Sequence, residues 1–486
     1  MSPESPVHDR DARVKRAVDD LRDRAVAALE LGARFTAAGH EIALVGGPVR
    51  DALLGRLGDD LDLTTDARPE QVLEIVRGWA DAVWEVGIAF GTVGVRKGEH
   101  KLEITTYRAE SYDHESRKPE VTYGSTLAGD LLRRDFTVNA MAVRLPSLEL
   151  VDLYGGIDDL AAGVLRTPGT PQESFGDDPL RMMRAARFTS TLGFTVAPEV
   201  RAAMTAMCGR LAIVSAERVR DELVKLVLGE HPRDGLALMV ETGLAQLVLP
   251  ELPALALEVD EHHRHKDVYE HTLIVLEQAI ELETAHDPVS GPDFVLRFAA
   301  LMHDVGKPRT RRFESDGRVS FHHHEMVGGR MTRKRMQTLR FSNDLTDEVT
   351  QLVELHLRFH GYGDGEWTDS AVRRYVRDAG DQLVRLHKLT RADCTTRNKR
   401  KADSLARTYD ELEERIARLS EQEELASIRP PLDGNRIMEL LDLAPGREVG
   451  VAYRFLLEAR LDQGPMSEDE AEALLRAWWA DRDPAS

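Results

Sequence analysis

Short apolar runs alternate with amphipathic stretches through the first third of the chain. Ile42 to Val45 and Leu61 to Thr65 read as strands, while Pro48 to Gly55 and Pro69 to Ala80 carry apolar residues at helical spacing. Thr92-Val93-Gly94-Val95 and Leu102-Glu103-Ile104-Thr105 flank the polar turn Lys97 to His100, which predicts a hairpin. Near Pro168 the strand signals vanish. Arg181 to Phe188, Glu217 to Leu228, Val268 to Ile280, Val295 to Met302 and Val349 to Leu357 place apolar residues three and four apart, so the remainder is predicted to be mostly helical. Asp410 to Leu425 reads as a charged, solvent-facing helix, and Arg429-Pro430-Pro431 punctuates the chain before a last helical unit. These changes suggest a flexible N-terminal tail (1–15), an α/β head (16–168), a helical neck (169–255), a histidine-rich helical domain (256–401) and a helical tail (402–486).

The chain has 486 residues, which at about 150 per domain suits a division of this kind, and 42% hydrophobic content is ample for several cores. Lys and Arg total 64 against 84 Asp and Glu, a formal charge of −20. That balance argues against coating nucleic acid through net charge and leaves local basic patches as the route to it. The two cysteines, Cys208 and Cys394, stand far apart, so neither a disulfide framework nor a zinc finger is available. Met1 to Arg13 has no apolar segment of the signal-peptide kind, and nowhere do about 18 apolar residues run together. A cytoplasmic protein without membrane contact is expected.

Candidate chemistry begins where Ala43-Leu44-Val45 runs into Gly46-Gly47-Pro48-Val49-Arg50. A strand, two glycines and a helix start make an anion site, because the glycines admit a phosphate to the backbone and Arg50 adds charge in the first turn. Asp60 and Asp62 follow in Asp60-Leu61-Asp62-Leu63. In a strand they share a face while Leu61 and Leu63 enter the core, and two adjacent carboxylates call for a cation between them, Mg²⁺ above all. Glu103 on the hairpin has two readings: a third carboxylate that helps deprotonate an attacking hydroxyl, or an ordinary solvent-facing glutamate.

With Arg133-Arg134-Asp135-Phe136-Thr137-Val138-Asn139-Ala140, Asp152-Leu153-Tyr154-Gly155-Gly156 and Asp177-Asp178-Pro179-Leu180-Arg181, these segments form an ordered set. The set resembles the successive motifs of class II tRNA nucleotidyltransferases, the CCA-adding enzymes and their poly(A) polymerase relatives, with the actinobacterial members most alike. The resemblance implies an α/β head of the polymerase β-like kind followed by all-α neck, HD and tail domains. It also implies that Asp60 and Asp62 hold Mg²⁺, that Gly46, Gly47 and Arg50 contact the incoming nucleotide, and that Arg134, Asp135 and Asn139 lie by its ribose and triphosphate. One departure is Asp177, where the family more often has Glu; the charge is kept.

Asp178 and Pro179 read as a helix start, after which Arg181, Arg184 and Arg187 recur every third residue. Cytosine and adenine present an amino donor beside a ring-nitrogen acceptor, whereas uracil and guanine present a keto acceptor beside an N–H donor. A carboxylate plus a guanidinium reads that difference, with Asp178 accepting and Arg181 donating. The resemblance gives this pair the role of a protein template for CTP and ATP, with Arg184 and Arg187 also touching nucleotide. Intrahelical pairing on a solvated face is the alternative reading of the same spacing.

Eleven of the 17 histidines fall between His262 and His360. Among them Tyr269-Glu270-His271-Thr272, His303-Asp304-Val305-Gly306-Lys307, His323-His324-Glu325 and Leu355-His356, with Arg391-Ala392-Asp393, resemble an HD-superfamily metal-dependent phosphohydrolase domain. The resemblance implies one divalent metal of unnamed identity on His271, His303, Asp304 and Asp393, with His324 and His356 available for a second. Arg330, Arg333, Lys334, Arg335 and, further on, Arg397, Lys399 and Arg400 form two basic patches expected to meet the phosphates of a tRNA acceptor end. The resulting expectation is template-independent addition of C, C and A to tRNA from CTP and ATP. A CC- or A-adding specialist, a poly(A) polymerase, and an HD phosphohydrolase with a nucleotide-sensing head stand as alternatives.

Overall fold

Strand β1 (Ile42–Val45) is buried along its whole length because strands flank it on both sides. It pairs antiparallel with β2 (Asp60–Thr65) and with β6 (Met141–Leu145). Strands β3 (Ala82–Trp84), β4 (Thr92–Lys97), β5 (His100–Thr106) and β7 (Glu149–Asp152) complete a seven-stranded sheet in the order β3-β4-β5-β2-β1-β6-β7. Only β2 and β5 run parallel, in a register that sets Asp62 beside Glu103. Alternation turns Leu61, Leu63, Leu102 and Ile104 into the core, leaving Asp60, Asp62 and Glu103 exposed on the opposite face.

The structure, a computed structural model, describes residues 6–85, 87–108, 123–257, 267–315, 319–361, 367–396, 398–423 and 428–482, and the chain divides into two compact units, Met1–Pro250 and Glu251–Ser486. In the first unit, helix α1 (Pro6–Arg24) occupies most of the stretch expected to be a flexible tail. Within that stretch Arg10 pairs with Asp158 at 3.2 Å, and beyond it Ala17 and Leu21 are buried as the helix packs on α3 (Gly47–Leu53). Helix α2 (Val26–Ala37) lies on β1 and β6, and α4 (Pro69–Val76) on β4 and β5. Helices α5 (Leu127–Leu132) and α6 (Gly156–Ala162) complete the head.

The neck helices are α7 (Pro171–Asp177), α8 (Leu180–Leu192), α9 (Pro198–Met207), α10 (Ala216–Val227), α11 (Pro232–Glu241) and α12 (Leu244–Val248). Helix α8 packs on α10 and α11. A short parallel pair joins β8 (Val164–Leu165), at the end of the head, to β9 (Thr195–Val196), which lies in the region that sequence periodicity assigned to helices.

In the second unit, α13 (Val268–Ala285), α14 (Phe294–Met302), α15 (Lys307–Thr310), α16 (His324–Thr338), α17 (Asn343–Leu355), α18 (Asp369–Ala379) and α19 (Leu383–Ala392) gather the histidines. A small hairpin, β10 (Arg312–Phe313) with β11 (Val319–Ser320), precedes α16. Helix α20 (Lys399–Glu423) runs through the boundary expected at Lys401. It does so because Tyr409, Leu412, Ile416 and Leu419 bury a continuous apolar stripe and the helix packs on α18 and α19. Helices α21 (Gly434–Leu441), α22 (Arg447–Gln463) and α23 (Glu468–Ala480) enclose a small core of Leu432, Ile437, Ala452, Leu456, Ala471 and Leu475. Among the described residues no helix is long and apolar enough to cross a membrane.

Helix α22 meets α18 through charge. Arg374 donates to Asp462 at 2.7 Å and to Glu458 at 2.8 Å, and Arg373 donates to the Leu461 carbonyl at 3.1 Å. The hydrogen bonds from Arg374 hold both Glu458 and Asp462 below their usual range. Depressed folded values mean that these contacts stabilise at neutral pH and are lost as the pH falls through the folded values. Amide-exchange protection of α22 is therefore expected to drop as the pH is taken below about 4, and to drop at pH 7 when salt is raised to about 1 M. Hydrogen-exchange mass spectrometry reads both; protection insensitive to pH and salt would show that the apolar core alone holds α22.

Candidate active sites

In the head, the turn between β1 and α3 is made by Gly46 at φ +73°, a left-handed conformation that favours glycine. A Cβ there would stand 2.8 Å from the Arg134 guanidinium, so glycine also lets that cation lie against the loop. Asp60, Asp62 and Glu103 stand side by side on the sheet face described above. Asp62 is pushed above the usual carboxylate range by desolvation, then by Glu103 and Asp60, against the pull of Arg134. A divalent cation beside Asp62 would offset both the desolvation of this carboxylate and the push of its acidic neighbours.

A buried chain of hydrogen bonds joins the glycine turn to the neck. Arg50 donates to Asp51 through Nε and Nη2 at 2.9 Å and to Asn139 Oδ1 through Nη1 at 2.7 Å. Asn139 donates to Asp135 Oδ1 at 3.0 Å, and Arg184 Nε donates to Asp135 Oδ2 at 2.7 Å. On its other side Arg184 lies 3.8 Å from Glu222, which also holds Arg187 at 3.2 Å. Burial opposes the charge on Asp135, but Arg184 and the Asn139 hydrogen bond outweigh it and keep the carboxyl well below its usual range. Arg187 is lowered to about 10 by burial and by Arg184.

These groups line a cleft of about 540 Å³. It brings together Gly46, Gly47, Arg50, Asp62, Arg134, Asp135, Asn139, Arg184 and Arg187, and adds Phe188, Thr191, Lys225 and Leu228, which sequence reasoning missed. Asp60, Glu103, Asp178 and Arg181 are not in its lining. Asp178 receives the Leu180 N–H at 3.0 Å and pairs with Arg218 at 2.8 Å, while Arg181 donates to the Ser174 hydroxyl at 2.9 Å and to the Arg133 carbonyl. Helix α7 ends at Asp177, and α8 begins only at Leu180. Arg218 and Glu222 carry no local signal in the sequence, because each meets its partner from a different helix, α10.

The second cluster is assembled from five segments. His271 comes from α13, His303 and Asp304 from the turn after α14, His324 from the first turn of α16, His356 from the end of α17 and Asp393 from the end of α19. A Cβ at Gly306 would fall 2.1 Å from the His324 carbonyl, so glycine permits the His303–Asp304 turn to touch α16. His303, His324 and His356 direct Nδ1 to the main-chain carbonyls of Ala300, Phe321 and Val353 at 2.8, 2.9 and 2.6 Å. Their Nε2 atoms are buried without a hydrogen-bond partner. Imidazoles anchored at Nδ1, with Nε2 making no hydrogen bond and turned into the cluster, are poised as metal ligands.

The ligand atoms form two triads, His271-His303-Asp393 and Asp304-His324-His356. Asp304 faces both: its Oδ2 lies 3.2 Å from His303 and 3.5 Å from His271, which gathers the four residues expected around one metal, and its Oδ1 lies 3.3 Å from His324. Burial works against a proton on His303, yet Asp304 and Asp393 push it up to about 10, whereas burial and His303 lower His356 to about 3. The carboxylates thus demand a positive charge, which a proton or a metal ion can supply. Lys307, whose role was not read from the sequence, donates to Asp304 Oδ2 at 2.7 Å.

The basic patches fare unequally. Arg330, Arg333 and Lys334 are exposed on α16, with Arg333 paired to Asp347 of α17. Arg335 differs from these in its burial: its guanidinium is half-buried against Glu251, with contacts of 3.0 and 3.1 Å. Lys399 and Arg400 are exposed at the start of α20, and Arg397 lies outside the described residues, as do His262, His263 and His265.

Divalent-metal binding is expected to weaken by more than about tenfold in Asp304→Ala, because this carboxylate serves both triads. Equilibrium dialysis with metal analysis checks it, and unchanged binding would exclude Asp304 as a ligand.

Residues 42–166 match the poly A polymerase head domain, residues 193–255 the probable RNA and SrmB-binding site of polymerase A, and residues 268–398 the HD domain. An A-adding tRNA nucleotidyltransferase of Deinococcus radiodurans is 34% identical over 452 residues, which is 91% of this chain and 96% of that protein. A CCA-adding enzyme of Lactobacillus helveticus is 41% identical over 230 residues, but the match spans only 47% of this chain and 56% of that protein. The fold is that of the Bacillus stearothermophilus CCA-adding enzyme crystallised with CTP, with a TM-score of 0.62 and 24% identity over 93% of this chain and 97% of that one. Near full-length kinship with a tRNA nucleotidyltransferase, together with these three domains, shows that the chain belongs to the class II tRNA nucleotidyltransferase family, with a poly A polymerase head and an HD domain.

Proposed function

We propose that the protein adds C, C and A to the 3′ end of tRNA, using CTP and ATP and releasing pyrophosphate. The observation that carries this reading is the head cleft, where Asp62 faces a wall of arginines. Asp60 and Asp62 hold Mg²⁺, which when bound neutralises triphosphate charge and polarises the reacting phosphoryl group. Glu103, in register with Asp62, receives the proton of the attacking 3′ hydroxyl. Gly46 and Gly47 admit the phosphates to the backbone at the start of α3, and Arg50 and Arg134 neutralise them. Asp135 and Asn139 hold Arg184 and Arg50 in place beside the ribose and phosphates. Asp178 and Arg181 read the base once the nucleotide has displaced Arg218 and the Ser174 and Arg133 contacts. The exposed cations Arg330, Arg333, Lys334, Lys399 and Arg400 meet the tRNA backbone. The motif set supports placing the chain with the actinobacterial type of the family.

A second reading is an A-adding specialist, favoured by the name of the Deinococcus radiodurans relative, which matches across nearly its whole length. The buried histidine cluster supports an additional phosphohydrolase activity, with metal on the two triads and Lys307 placed to offset charge at Asp304.

Labelled CTP and ATP supplied to tRNA ending at the discriminator base and to tRNA ending in CC separate these readings. Addition of three nucleotides to the first and one to the second is expected; addition only to the CC-ended tRNA would assign an A-adding specialist, and no incorporation would overturn nucleotidyl transfer. Joint replacement of Asp60 and Asp62 by Ala is expected to cut incorporation by about a hundredfold or more while leaving any phosphatase activity intact. Asp178→Ala is expected to reduce discrimination against UTP by roughly 5- to 150-fold, read as misincorporation; unchanged selectivity would remove Asp178 from the template.

A further inference from the structure

Three guanidiniums of the head converge on a single phenyl ring. The Cζ atoms of Arg187, Arg50 and Arg184 lie 4.2, 5.3 and 5.5 Å from the centroid of Phe188. The ring is 5% exposed, and all four side chains line the head cleft. Phe136 meets the ring edge to face, with centroids 5.8 Å apart and planes at 88°. Sequence position explains part of this: Phe188 follows Arg187 and lies one helical turn beyond Arg184 on α8. Arg50 comes from α3, so only folding completes the cluster.

Like charges held so close repel one another, and the lowered proton affinity of Arg187, caused by burial, Arg184 and Arg50, registers that repulsion. A fold can hold such cations together in two ways. A further carboxylate would bind them but would cancel their charge and repel an incoming triphosphate. An aromatic ring attracts cations through its quadrupole and leaves the net charge intact. Each acid here reaches one or two of the arginines: Asp51 holds Arg50, Asp135 holds Arg184, and Glu222 sits by Arg184 and Arg187. What all three arginines share is the ring.

We propose that Phe188 is a positioning residue for nucleotide binding, its π system holding Arg50, Arg184 and Arg187 as one cationic wall that receives CTP or ATP. This rests on reading the cleft as the nucleotide site.

Phe188→Leu keeps the side chain apolar and is expected to weaken CTP and ATP binding by about 5- to 30-fold in calorimetry, through loss of the cation–π contacts. A series of mono-, di- and trifluorinated phenylalanines at position 188 separates this from packing, because fluorine withdraws electron density from the ring face with little change of shape. Affinity for both nucleotides is expected to fall stepwise with fluorine number while Tm stays near that of the unsubstituted protein. Affinity that is flat across the series overturns the inference, whatever the leucine variant does. If the unsubstituted protein binds neither CTP nor ATP, the reading of the cleft falls and this inference with it.

Discussion

A single buried carboxylate ties the head to the neck. Asp135 accepts hydrogen bonds from the Phe136 amide, Asn139 and Arg184; through Asn139 it reaches Arg50 in the glycine turn, and through Arg184 it reaches Glu222 of α10. A buried anion is unfavourable unless its donors offset the lost hydration, and here they do so well enough to keep it ionised far below the usual range. Removing one partner of a buried pair of this kind costs about 3 to 5 kcal/mol, because the charge left behind has nowhere to go. The strand-loop-helix turn, the segment around Asn139 and helix α8 therefore hold one another in register. The cleft is the space they enclose.

The two clusters of titratable groups meet like-charge repulsion in different ways. On the sheet face, Asp60, Asp62 and Glu103 keep exposed side chains on one open surface. In the second unit, His303, Asp304, His324 and His356 are almost fully buried, and main-chain carbonyls fix each imidazole. An open carboxylate face suits an ion that arrives with a triphosphate, whereas a closed imidazole and carboxylate cage suits one that stays. Arginine behaves differently again: around Phe188 it is gathered by an aromatic ring, which steadies the cations without removing their charge.

Much of the head was legible from local pattern. Period-two alternation put Asp60 and Asp62 on one face, and the glycine pair before Pro48 marked the turn. Local pattern left Glu103 with two readings, and its position beside Asp62 came only with the parallel pairing of β2 and β5. Spacing along α8 suggested that Arg181 would act together with Asp178, but the helix break at Asp178 and Pro179 lets their side chains go separate ways, to Arg218 and to Ser174. The polar start of the chain read as a tail, and its helix α1 continues into Ala17 and Leu21, which are buried beyond that stretch.

The sequence by itself determined most of the central elements of the head, the helical character of the rest and the family, because these follow from neighbours two, three or four residues apart and from ordered motifs. Only the tertiary structure decided which charge answers which: that Arg335 belongs to Glu251, that Asp304 faces two triads, and that three arginines share Phe188. Such pairings depend on burial and on contacts between distant segments. Local periodicity fixes the direction of a side chain on its own helix or strand; packing fixes what it meets there.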